Sequence, residues 1–471
     1  MYQDEQSQSY RIDSFIGVNQ SVDESLLQPG ETADCQNFYI RKGILEVTPG
    51  NTKYVSVSVP GGCETLMAFY KNNTDGTVSK TLLAASPTII YKWTGEAWQP
   101  IKTDLQSGRF SFINYQQGMT EIVIMGNGVD PMFKWDGDTF TNLGGNPPKA
   151  SSITLHYERV WTTGDRENPN MVRASKDMAP EFWESTDPDG DDPLAVAGVT
   201  IDMPTWDGGV NIGISTIFDD VVIFKTYSVW KLLGTHPGEY EKVKVFSPTG
   251  AIAERSIVDA GTMCFFLAMD GVYAYNGTQC DLISAPVEKI IKSMNITYRD
   301  KAVGVFYDNR YILAIPEGTS ATKNNCVLEF DLLAKNWTVK RGFNVNDFLV
   351  FKDTLLFSND NGYVLEYDKG DDFDGTPIEA YWNTPRTTLG STNKTISSTY
   401  FYGDLEEIKA GGIKLTSVFD NKTVSTLIPE PFKKGRRHKN KGRKFHMRIE
   451  NVNGSRFRLR TPELLIDIDE D

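Results

Sequence analysis

The chain has 471 residues, of which 39% are hydrophobic and 11% aromatic, and a net charge of −14. That length can bury more than one core, whereas no apolar run is long enough to cross a membrane as a helix. The start, MYQDEQSQSYR, has neither the basic nor the apolar part of a secretory signal, so a soluble product of a cytosol is expected.

Five cysteines, Cys35, Cys63, Cys264, Cys280 and Cys326, are odd in number and never form a C-x-x-C pair. This argues against a disulfide scaffold or a zinc site and predicts buried free thiols.

In chain order, residues 1–50 hold a Gly-Val-Asn loop at Gly17–Asn19, a Pro-Gly turn at Pro29–Gly30 and a second at Pro49–Gly50. They are expected to form an N-terminal arm and a closing strand. From residue 51 to 375 one pattern recurs: an apolar strand, a turn, an aromatic strand and a tight glycine turn. It is clearest in LLAASPTIIYKWTGEAW from Leu82, IVIMGNGVDPMFKWDGDTF from Ile122 and FFLAMDGVYAYNGTQC from Phe265. Corresponding positions, taken as the second strand of each unit, are Tyr91, Phe133, Val172, Val229, Val272, Val327 and Val364. Their separations bracket the roughly 40–50 residues of a propeller blade. The expected fold is therefore all-β, a β-propeller of about seven blades, with residues 54–69 either closing the last blade or adding to an extra one. The turns Thr94-Gly95-Glu96, Asp136-Gly137-Asp138 and Asn276-Gly277-Thr278 supply the positive φ of a tight hairpin, and the flanking aromatics are read as blade core.

Within the propeller, Arg159 to Trp183 reads as strand, turn, strand and loop. Between Trp183 and Val210, the alternating Asp187, Asp189 and Asp191 match part of a calcium loop, but the glycine is misplaced and the terminal Glu is missing, so a solvated acidic loop is the stronger alternative. Val287, Ile290, Ile291 and Met294 mark a helix within residues 284–296, expected to pack over a blade edge.

Residues 376–471 alternate at period two between turns, as expected for a small C-terminal β-sandwich. They contain the most basic stretch of the chain, KKGRRHKNKGRK at residues 433–444, with Lys433, Lys434, Arg436, Arg437, Lys439, Lys441, Arg443 and Lys444. Two readings stand side by side: a basic finger that touches DNA or an acidic neighbour, and a solvated hairpin loop. Arg448, Arg456, Arg458 and Arg460 are expected to extend the positive charge onto the following strands. Residues 1–375 carry 31 Lys+Arg against 50 Asp+Glu, a balance of −19, and residues 376–471 carry 17 against 12, or +5. An acidic propeller is a poor candidate for gripping phosphates.

Two groups of residues carry a resemblance. The first is G-x-N at Gly17–Asn19, L-x-x-G-E at Leu27–Glu31 with Asn37 beyond it, and R-x-G-x-L-x-x-x-P-G from Arg41 to Gly50. The second is Arg159-Val160-Trp161, Asn168-Pro169, Ser175, Pro180 and Trp183. Together with Ala380–Arg386, this layout resembles tail proteins of tailed bacteriophages, in the group that includes the tail nozzle (tail tubular protein B) of short-tailed phages; the chain is shorter than many of that group. The resemblance implies a structural virion protein of a tail or head-to-tail junction. It implies a homo-oligomeric ring that contributes to a DNA channel, docks other tail or connector proteins and touches genomic DNA transiently. Arg159, Trp161, Asn168, Pro169 and Trp183 would then be structural motif residues.

No H-x-x-x-H, G-x-S-x-G or Walker motif occurs, and His156, His236, His438 and His446 are far apart in sequence. No catalytic residue, cofactor or metal ligand set is therefore expected. The competing class is a glycan-binding or glycan-cleaving propeller, for which exposed aromatics in a pocket would be the mark.

Overall fold

In a computed structural model, which describes residues 8–73, 75–185, 197–388, 395–428 and 436–469, seven sheets share one plan. Six of them are four-stranded and antiparallel with their strands in chain order, beginning with Thr65–Asn72, Val78–Ala85, Ile90–Trp93 and Trp98–Lys102 in blade 1, and the seventh begins in the same way. The first strands of blades 2 to 7 are Ser111–Gln117, Ser152–His156, Asn211–Ile217, Val258–Asp259, Val303–Tyr307 and Asp347–Phe351. Each of these packs against the first strands on either side, and blade 7 meets blade 1, so they form a closed ring around an axis. The fold is a seven-bladed β-propeller. Tyr91, Phe133 and their five equivalents lie on the third strand of each blade, not the second.

The ring closes through the amino-terminal segment. Blade 7 supplies three strands of its own, and its fourth is Asn51–Lys53, antiparallel to Val364–Tyr367. The closing strand thus begins just past residue 50, and residues 65–69 belong to the inner strand of blade 1. The glycines of the third-to-fourth-strand turns adopt the expected left-handed backbone, with φ of 100° at Gly95 and 103° at Gly137.

Residues 8–47 are not a separate arm. Gln8–Arg11, Phe38–Arg41 and Ile44–Val47 join Thr395–Lys409, Arg436–Gly442 and Arg456–Asp469 in one sheet, while Cys35–Gln36 pairs with Tyr381–Asn383 in the other. The second sheet continues through Phe445–Asn451, Ile413–Phe419 and Lys422–Ile428. The sandwich is therefore built from both flanks of the propeller. Tyr10 against Phe445, Phe15 against Trp382 and Phe38 against Phe457 meet edge-on in its core. That core runs without interruption into blades 5 and 6 at Phe265, Leu267, Tyr311 and Leu313.

The helix expected within residues 284–296 is a 3-10 turn, Ala285–Val287, followed by Glu288–Lys292. It buries Val287, Ile290, Ile291 and Met294 in the same core. Gln20 fastens the amino-terminal segment to it, donating its backbone N–H to Pro286 O and accepting from Lys289 N. All five cysteines are buried free thiols, and among the described residues no helix is long and apolar enough to cross a membrane.

Candidate functional site

Over residues 436–442 the basic stretch is a strand and not a loop. Arg436–Gly442 is an edge strand of the six-stranded sheet, paired with Thr395–Lys409 so that Arg437 opposes Tyr400 and Lys441 opposes Ser397. Its residues alternate: His438, Asn440 and Gly442 are buried, while Arg437, Lys439 and Lys441 are exposed. Sheet geometry dictates this, because successive side chains point to opposite faces. His438 lies between Ser417 Oγ at 2.6 Å and Thr426 Oγ1 at 2.8 Å, and burial pushes its pKa down to about 4. Asn440 donates to Ser417 O and Lys422 O. Buried polar residues thus fix the strand against the facing sheet, while the alternating cations and the exposed rings of Tyr400 and Tyr402 form its outer surface. Just beyond it, the backbone N–H groups of Arg443 and Lys444 both donate to the Asp420 carboxylate. Lys433 and Lys434, like Asp187, Asp189 and Asp191, lie outside the described residues.

Positive charge does not spread from this strand onto its neighbours. Arg460 pairs with Asp404 and Glu406, Arg458 with Glu46 and Glu406, Arg456 with Asp371, and Arg448 with Glu450. Moreover, residues 1–50, which supply strands to the sandwich, carry 3 Lys+Arg against 8 Asp+Glu. Their balance of −5 cancels the +5 of residues 376–471, so the chain's net negative charge resides on the propeller.

Two further clusters join parts of the chain far apart in sequence. At the axis, Arg255 of the turn before blade 5 donates to Glu64 O, Thr65 Oγ1 and Phe110 O and pairs with Asp347 at 3.1 Å. One guanidinium therefore ties blades 1, 2 and 7 together across the axial passage. Burial raises the pKa of Asp347, an effect the Arg255 charge opposes. Beside it opens a cavity of about 270 Å³ walled by residues that include Glu64, Arg109, Lys301 and Asn324. Its described wall contains no aromatic side chain.

The second cluster seals blades 6 and 7 to the amino-terminal segment. Lys340 pairs with Glu329 at 2.9 Å and Asp368 at 2.6 Å, and Arg310 with the same two carboxylates at 3.1 and 3.0 Å. Tyr39 OH lies among them, donating to Asp368. Burial acts to raise the Asp368 pKa, but Lys340 and Arg310 hold it below the usual carboxylate range. Four opposite charges that cancel within one buried group provide specific bonding rather than a reactive centre.

The motif residues of the first group converge on this seam. Gly17–Val18 forms a parallel pair with Glu31–Thr32, and Asn19 Nδ2 donates to Glu31 Oε1 at 2.9 Å. Asn37, at φ 59°, donates its side-chain amide to Arg341 O and Glu379 O and accepts from Arg341 N, bridging blade 6 to the sandwich. Gly30 and Gly50 permit close backbone approach: an added Cβ would lie 2.0 Å from Ser14 O and 1.8 Å from Asp372 O, respectively. In the second group, buried Arg159 donates to Ser175 O and Ala197 O, and buried Trp161 meets Tyr240 edge-on. Asn168 caps the turn through Asp165 and accepts from Met171 N, Pro169 O accepts from Asn211 N, and Trp183 fills the seam between blades 2 and 3. These residues hold blade 3 in place. The axial and seam clusters leave no sign in the sequence, since their partners lie as far as 329 residues apart and no spacing links them.

No protein-family model matches the chain, and no curated protein sequence matches it. Among solved structures, the computationally designed Ika8 protein is 10% identical with a TM-score of 0.41, covering 76% of this chain and 99% of its own. The Pan2 WD40 domain of Neurospora crassa is 9% identical with a TM-score of 0.42, covering 70% of this chain and 97% of its own. BBS1N, solved in complex with ARL6DN, is 11% identical with a TM-score of 0.42, covering 68% and 96%.

Proposed function

We propose that the protein is a structural subunit of a bacteriophage tail or head-to-tail junction, nozzle-like in place, that assembles into a ring with further copies and docks other tail proteins. One observation carries this. The residues by which the chain resembles that group, Gly17, Asn19, Gly30, Glu31, Asn37 and Gly50 among them, line the amino-terminal segment that clasps propeller to sandwich, where Gly17 packs on Asn336 of blade 6, Asn37 bridges blade 6 to the sandwich and Gly50 packs on Asp372. The clasp suits a part that bears mechanical load, because both flanks of the propeller are bonded into a single second unit. The axial passage is crossed by Arg255, so a DNA channel would run between copies and not through the propeller. The glycan alternative draws no support from the axial cavity, whose described wall offers no ring for a sugar to stack on.

The test is the mass of the purified protein, alone and mixed with the proteins encoded beside it, by light scattering with negative-stain imaging. Rings, alone or with those neighbours, are expected. A monomer that ignores its neighbours yet is retained on a glycan array would overturn the proposal.

A further inference from the structure

The hairpin tips joining the first and second strands of blades 2, 3 and 4 present large apolar side chains to solvent. Met119 is 99% exposed, Tyr157 46% and Phe218 61%, and Met178, in the loop after the third strand of blade 3, is 70% exposed. Three of the four occupy left-handed backbone, with φ of 48° at Tyr157, 56° at Met178 and 50° at Phe218. Such positions favour glycine, asparagine or aspartate, and a bulky residue there is an outlier that asks for a functional reason. The matching turn of blade 6 shows the ordinary solution, with Asp308-Asn309 at positive φ, and blade 7 places a charged Lys352 before Asp353 there. Blades 3 and 4 therefore place strained apolar side chains in water where a small polar residue would sit without cost.

The blade 2 and blade 3 parts of this surface are held together. Tyr115 OH of blade 2 donates to Glu158 O at 2.9 Å, and Met178 N donates to the same oxygen at 3.3 Å. Its rim is acidic: Glu158 and Asp219 are exposed, and neither has an ion-pair partner among the described residues. The strand Arg436–Gly442 shows the opposite character, with exposed Arg437 and Lys439 beside Tyr400 and Tyr402. It belongs to the sandwich, whose core is shared with blades 5 and 6, whereas the tips belong to blades 2 to 4.

We propose that the apolar, acid-rimmed tips of blades 2 to 4 dock onto the basic strand face of a second copy of this chain, with Glu158 and Asp219 meeting Arg437 and Lys439. This rests on the assembling-subunit function proposed above and gives it an interface. The two patches differ, so the contact is heterologous: each copy has one of each free, and association propagates head to tail until the rotation per step closes a ring. The tyrosines supply apolar area for the methionine and phenylalanine tips, and the charges set orientation and exclude like-to-like pairing.

The test is sedimentation velocity of the full chain over a range of concentrations, for wild type, R437E/K439E, E158K/D219K and the fourfold combination. Circular dichroism and tryptophan fluorescence would confirm the fold of each. Wild type is expected to associate, each double variant to associate on the order of 100-fold more weakly, and the fourfold variant to recover most of the loss by restoring opposite signs. If wild type assembles and the double variants assemble equally well, the interface is wrong while the subunit proposal stands. A wild type that stays monomeric at every concentration, and with its neighbours present, overturns both. A fourfold variant as weak as the doubles overturns the charge pairing. If R437E/K439E changes only the binding of a single-stranded DNA oligonucleotide and not the mass, the strand belongs to nucleic acid and the proposal falls.

Discussion

Acidification should loosen the sandwich through one side chain. His438 is buried under the basic strand between two hydroxyls, and its pKa of about 4 lies well below the ordinary 6.5. Between those values the unfolded chain takes up a proton that the folded form refuses. Stability from this group is therefore complete above pH 6.5, falls as pH drops through the window and is lost by pH 4. The difference corresponds to about 3 kcal/mol in full and about 2.5 kcal/mol by pH 4.5. His156 and His446 are also depressed, mainly by burial, so the comparison must isolate one ring. H438N removes the titrating group, and the other two contribute equally to both proteins. Urea unfolding at pH 7 and pH 4.5 should show wild type losing about 2.5 kcal/mol more than H438N, and an NMR titration of the imidazole should place its midpoint well below 6. A midpoint at 6.5 or above, or equal losses in the two proteins, would refute the argument.

The remaining predictions concern the bonds between distant parts of the chain. R255M leaves the Asp347 carboxylate buried without its charge partner and should destabilise the propeller by about 3–5 kcal/mol in chemical denaturation, with R255M/D347N recovering part of it. K340M should cost a similar amount, about 3–5 kcal/mol, because Glu329 and Asp368 are left to Arg310 alone; a loss below 1 kcal/mol in the same assay would show that the seam is not held by charge. G50A should lower stability by several kcal/mol, on the order of 3, since its Cβ meets a backbone carbonyl that cannot rotate away. A chain starting at Val55 lacks the closing strand and leaves Val364–Tyr367 with an open edge, so it should aggregate in gel filtration; a soluble monomer with cooperative unfolding would contradict this.

The propeller was legible from residues whose chemistry its blades require. Gly95, Gly137 and Gly277 marked the third-to-fourth-strand hairpins, and the apolar second and third strands set the period. The first strands were harder to see. Ser111–Gln117 and Val303–Tyr307 line the axis and are mostly half-buried, so they lack the clean apolar alternation of a strand with a core face and a water face. The edge strand Arg436–Gly442 was hidden for a related reason. Its inward residues are His438, Asn440 and Gly442, so the alternation is of charge against no charge, and a search for hydrophobic periods misses it. The joining of residues 8–47 to the sandwich left no local sign, because short strands such as Cys35–Gln36 have meaning only through partners more than 300 residues away. The candidate surface was legible as composition and not as shape: eight cations in twelve residues were plain, but which of them face outward is set by strand register.

The way the propeller closes also sets a clock for its making. Asn51–Lys53 leaves the ribosome early but has no partner until Val364–Tyr367 has been made, and Ile44–Val47, which pairs at once with Phe38–Arg41, must likewise wait for Arg456–Asp469 on its other edge. At about 5–20 residues per second, the first of these delays is roughly 15–60 s. Through that interval the early strands are exposed edges, and blades 1 to 6 can pair locally while the ring stays open. A nascent chain cut short before blade 7 would have no partner for its closing strand and no opposing sheet for its amino-terminal strands. Closure thus acts as a completeness check on each molecule, deferring the rigid form until nearly the whole polypeptide exists.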